Sequence, residues 1–97
     1  MNNLSLGILT IHLYLPGIHS LKQKRSQIKP LLLKLHREFN LSAAEIGYLD
    51  SWNESLIACA IVSNDSLHSQ RVLQKTAAWL EASCPEMHIL EQNLELI

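Results

Sequence analysis

An apolar strand that runs into a Pro-Gly turn and then into a basic amphipathic helix leaves a chain few choices of fold. Residues 13–29 read L-Y-L-P-G-I-H-S-L-K-Q-K-R-S-Q-I-K. Upstream, Leu4 to Leu15 is apolar with partial alternation, placing Leu9, Ile11 and Leu13 on one face and Ile8, Thr10, His12 and Tyr14 on the other. A period of two marks a strand buried on one side and mixed on the other. Pro16-Gly17 ends it. Ser20 then offers a hydroxyl cap, and Gln23 three residues later fits a capping box. Leu21, Ile28, Leu32, Leu35 and Phe39 form a core-facing helical stripe, and Lys22, Arg25, Lys29 and His36 fall together on a different face. Pro30 lacks the amide a helix interior uses, so a kink or a break into two pieces is expected near Gln27 to Lys29.

The rest of the chain supplies the other elements. Ala43 to Leu49 alternates as a second strand, and Asp50 to Glu54 is a polar turn. Ser55 to Val62 is apolar on both faces, the pattern of a central strand. Ser63-Asn64-Asp65-Ser66 is rich in capping residues and opens a second helix, with Leu73, Thr76, Ala77 and Leu80 inward, ending near Ser83-Cys84-Pro85. Met87 to Ile97 is a last strand, its Glu91, Asn93 and Glu95 marking a wet edge. The order βαββαβ defines a ferredoxin-like α+β sandwich. Right-handed crossovers give a four-stranded antiparallel sheet in the order 4-1-3-2, with two helices on one face. Ninety-seven residues make one domain, residues 1–97.

This topology has a functional corollary. The first helix starts at the end of the sheet where the second strand hands over to the hairpin tip. His19, Ser20, Lys22, Lys24 and Arg25 are therefore expected to face Asp50, Trp52 and Asn53, with the Ser63 to Asp65 cap at the opposite end near Asn40. The net charge of −1 conceals an asymmetry: six of the eight Lys and Arg residues lie between 22 and 37, and eight of the nine acidic residues lie from Glu45 onward. A helix start with added cations suits a phosphate, and a nearby Trp can stack on a base. The expected phosphate or nucleic-acid contacts are His19, Ser20, Lys22, Lys24, Arg25, Lys29, Trp52 and Asn53. The bland alternative is a solvated basic face, with Trp52 as a hairpin anchor packed on the sheet.

Other chemistries fit less well. The five histidines show no metal-ligand spacing, and neither a metal nor a cofactor is expected. A sheet that reads RNA with aromatic residues on its central strands needs one on the third strand, which has none. An acylphosphatase-like phosphohydrolase needs a glycine-rich loop with an Arg opening the helix, yet Gly17 stands alone and Arg25 comes late. The open face, read as Ile8, Thr10, His12 and Tyr14 with Ile57, Cys59 and Ile61 beside them, offers a surface for a homodimer or another protein. Cys59 and Cys84 lack a C-x-x-C pattern. With no signal-like start and no apolar run of membrane length, the expectation is a cytoplasmic chain with reduced thiols.

Three segments, Pro16 to Arg25, Asp50 to Trp52 and Val62 to Asp65, together resemble the YlxP family of small bacterial proteins of unknown function. The matching motif positions are His19, Ser20, Leu21, Lys22, Lys24, Arg25, Asp50, Trp52, Ser63, Asn64 and Asp65. The resemblance implies a ferredoxin-like fold. It also implies an RNA or ribosomal partner, since genes of the family often neighbour those for transcription, translation initiation and ribosome maturation. The expected function is thus a non-enzymatic RNA- or ribosome-associated module, with an oligomeric interaction module as the alternative.

Overall fold

The computed structural model describes residues 2–97. Its elements run β1 (Ser5–Tyr14), α1 (Leu21–Phe39), β2 (Ser42–Gly47), β3 (Glu54–Ser63), α2 (Ser66–Ser83) and β4 (His88–Leu96). The strands form one antiparallel sheet in the order β2-β3-β1-β4, which is the expected order read from the opposite edge. The helices share one face, α1 over β2 and α2 over β1, β3 and β4.

Alternation explains the core. Leu9, Ile11 and Leu13 of β1 point at the helices and are almost wholly buried. Ile57, Cys59 and Ile61 of β3 do the same, so their expected place on the open face is corrected. The pairing decides it: Ile57 lies opposite Ile11 and Cys59 opposite Leu9, and directly paired residues share a face. A strand apolar on both sides gives no parity by itself, and the open face instead receives Leu56, Ala58, Ala60 and Val62. From α1 come Ile28, Leu31 and Leu35, and from α2 Leu73 and Leu80. Leu32 and Phe39 only pack against this core, and Leu21 is half-exposed, so the α1 stripe is rotated from the expected one.

Two further expectations are corrected. The helix α1 runs unbroken through Pro30, which lies on its exposed side, where water can serve the Ser26 carbonyl that has no Pro amide to accept. The second strand stops at Gly47 and not at Leu49. The β2–β3 register shifts between Glu45 and Gly47, and Tyr48 then adopts a left-handed φ of 58°. A second shift, in the β1–β4 ladder, leaves Leu90 without a partner. Both bulges bend edge strands, which discourages pairing with another chain. No helix among the described residues is long and apolar enough to cross a membrane.

Candidate functional site: the start of α1 and the β2–β3 loop

The site begins at the end of β1. Gly17 takes a φ of +77°, a conformation glycine adopts without strain, and this turns the chain toward α1. Ile18 is buried and anchors the turn, whereas His19 is exposed. The Ser20 hydroxyl accepts from the Gln23 amide at 3.0 Å. In return the Gln23 side chain accepts from the amide of His19 at 2.9 Å, one residue earlier than in the usual capping box. Ser20 is thus committed to capping. The amides of Leu21 and Lys22 remain as helix-start donors pointing outward.

Lys24 is the residue that sequence reasoning misplaced. Expected as an exposed phosphate contact, it is 1% exposed, and its expected role is corrected. Its ammonium donates to the carbonyl of Tyr48 at 2.7 Å and that of Ser51 at 2.8 Å, and pairs with Glu45 Oε2 at 2.9 Å. Three donors meet three acceptors, so nothing remains for a ligand. The signal was available: positions 24, 28, 31 and 35 form one helical stripe, and Lys24 heads the row completed by Ile28, Leu31 and Leu35. Glu45, on the helix-facing side of β2, also accepts from the Ser55 hydroxyl at 2.7 Å.

The same contacts shape the β2–β3 loop. The Tyr48 carbonyl also accepts from the Ser51 amide at 3.0 Å, and the Tyr48 ring stacks on His12 with centroids 4.6 Å apart and planes within 6°. His12 in turn contacts Glu54 at 3.0 Å. The Ser51 hydroxyl takes the Glu54 amide at 3.2 Å and gives to Asn53 Oδ1 at 3.3 Å. The Asn53 carbonyl accepts from the Leu15 amide at 2.7 Å, tying the loop to the end of β1. A non-glycine residue at positive φ persists when its surroundings over-determine it, and Tyr48 is held by its ring on His12 and by its carbonyl on Lys24 and Ser51. The loop is therefore a fixed platform.

What the platform displays is apolar. Trp52 is 54% exposed, Leu49 56% and Tyr48 46%. Trp52 is thus not an anchor buried against the sheet. Of the expected basic contacts, Lys22, Arg25 and Lys29 are exposed on α1, with His19 exposed just before it. The α1 start meets the hairpin loop through the Lys24 ammonium, which bonds the carbonyls of Tyr48 and Ser51 and not the expected Asp50, Trp52 or Asn53. Asn53 lies in this group with its side-chain oxygen already engaged.

The remaining candidates read as structural. In the Val62 to Asp65 segment, Asp65 accepts from the Leu67 amide at 3.0 Å and caps α2, while the Ser63 hydroxyl bonds the backbone of Asp65 and the hydroxyl of Ser69. The His36 ring donates from Nδ1 to the Leu41 carbonyl at 2.8 Å and fastens the far end of α1. Among the described residues no group of three or more His, Cys, Asp or Glu side chains could hold a metal ion.

A four-stranded antiparallel sheet with two helices on one face, and a lysine-clamped hairpin at the start of the first helix, defines a ferredoxin-like α+β protein with one built-up end. The chain belongs to the family described as "Protein of unknown function (DUF503)", whose model matches residues 6–94. It is also 37% identical, over 68 residues, to the uncharacterized protein YlxP of Bacillus subtilis (strain 168), covering 70% of this chain and 73% of that one.

Proposed function

We propose that this protein is a non-enzymatic RNA-binding module, acting on ribosomal or other structured RNA through the end where α1 begins. Lys22, Arg25 and Lys29 contact phosphates, the outward amides of the first turn and His19 assist, and Trp52 stacks on an unpaired base. The observation that carries this reading is the half-exposed indole of Trp52, held on a rigid loop directly beside the basic start of a helix. Stacking on an aromatic ring combined with backbone cations is the common chemistry of single-stranded RNA recognition. Lys24 acts indirectly, by holding the loop in place.

The test is binding of fluorescently labelled ribosomal RNA fragments across a salt series. Three phosphate contacts give a slope of log affinity against log salt of about −2 for single-stranded RNA. The variant carrying Lys22→Glu, Arg25→Glu and Lys29→Glu is expected to fold normally and lose binding. Trp52→Ala is expected to weaken it by about 1–3 kcal/mol. Wild-type affinity in the folded triple variant would overturn the proposal.

A further inference from the structure

The sheet face away from the helices is the largest feature that the RNA reading leaves unused. The pairing registers set what it displays. From β1 come Leu6, Ile8 and Thr10, opposite Val62, Ala60 and Ala58 of β3. On the far side of β3, Ser42 pairs with Ala60 and Ala44 with Ala58. The centre of the face is thus a shallow floor of alanines between larger apolar side chains, with no charged residue at these positions. The charges stand at its margins. Glu91 and Glu95 lie along β4, and the His12–Glu54 pair closes the end nearest the β2–β3 loop.

We infer that this face is the interface of a homodimer in which two sheets pack face to face. Three arguments select a second copy as the occupant. The central strands β1 and β3 are largely apolar on both sides and so call for a layer on each side, and the helices supply only one. Four strands of ten, six, ten and nine residues give each copy a face on the order of 550 Å², at roughly 3.3 Å rise and 4.8 Å spacing. Two such faces together reach about 1,100 Å², the lower end of specific interfaces. The charge pattern is self-compatible as well. A twofold axis parallel to the strands lays β4 of one copy over β2 of the other, so Glu95 meets uncharged Ser42 and Glu91 the uncharged end of β2 at Gly47, and neither meets the partner's own glutamates. RNA fits this face poorly, because glutamates border it. The site at the start of α1 lies on other elements and stays free in the dimer.

The test is sedimentation velocity of the purified full chain over a concentration series, with circular dichroism on every variant. Wild type is expected to shift from monomer to dimer in the micromolar range. Val62→Lys, at a position already 69% exposed and so harmless to folding, is expected to raise the dissociation constant at least tenfold. Ala58→Glu with Ala60→Glu is expected to leave only monomer. A wild type that stays monomeric at high micromolar concentration overturns the inference. So does a dimer that persists in the folded Val62→Lys and Ala58→Glu/Ala60→Glu variants, because its interface would then lie elsewhere. RNA binding by a monomeric variant bears only on the separate α1 site.

Discussion

Lys24 carries the most structural consequence of any single side chain in this protein. A buried ammonium is costly unless every proton finds an acceptor, and here two loop carbonyls and the Glu45 carboxylate provide them. Replacing Lys24 with Met removes the cation and leaves Glu45 half-buried without its partner. Chemical denaturation is expected to show a loss of about 3–5 kcal/mol. Adding Glu45→Gln should return part of that loss, because the stranded charge is then gone; two changes that simply add would refute the coupling. The variant should also release the β2–β3 loop, so its Trp52 fluorescence should move toward that of a free indole. In sequence Lys24 looks like its neighbours Lys22 and Arg25. Only its place in the 24, 28, 31, 35 row distinguishes it, and a cationic side chain at the head of an apolar row has two physical outcomes. It can reach past the end of the core into water, or it can find oxygens. The choice depends on Tyr48, Ser51 and Glu45, which lie more than twenty residues away.

At the scale of elements, the capped ends were legible and the interiors less so. Ser20 and Asp65 cap the helices as their sequence context predicts, because an N-cap needs only local geometry. Pro30 misled for the complementary reason. Its penalty is local, but the helix is held by tertiary burial of Ile28, Leu31 and Leu35 on both sides of it, and this outweighs one missing hydrogen bond. The proline should therefore be a residual cost. Pro30→Ala is expected to stabilise the protein by about 1–3 kcal/mol, since alanine restores the amide and relieves the ring from the preceding turn. A thermal midpoint unchanged or lowered in Pro30→Ala would mean that the helix is shaped around the ring. The β3 strand erred in parity alone: its limits were read to within one residue, but an all-apolar strand is silent about which of its faces meets the helices.

At the scale of the whole molecule, two helices seal one side of the sheet and basic charge gathers on one of them. Cys59 marks how dry the sealed side is, being fully buried in the central strand β3, where desolvation pushes its thiol up to about 11 from 9.0. A thiol raised in the folded state binds its proton more tightly there than in the unfolded chain. Its contribution to stability is therefore complete below about pH 9 and is lost as pH rises toward 11. Compared with Cys59→Ala, the wild type is expected to lose roughly 2 kcal/mol more stability across that window. Parallel curves for the two proteins would show that the thiolate is accommodated without cost. Cys84 is less buried, and a native protein treated with a thiol reagent should react there first.

The sequence by itself determined the order of elements, the strand order and the end of the sheet where α1 meets the hairpin. These follow from periodicity, turn chemistry and the handedness of crossovers, all of which act locally or through topology. Tertiary structure alone decided which basic residues of α1 reach solvent, which face of β3 stays open, and that Trp52 is displayed on a clamped loop. Each depends on a contact between segments far apart in the chain: the Lys24 ammonium with Tyr48, Ser51 and Glu45, and the register of β3 against β1. A side chain's alternatives differ by a few kcal/mol, and it is the distant partner that supplies the difference.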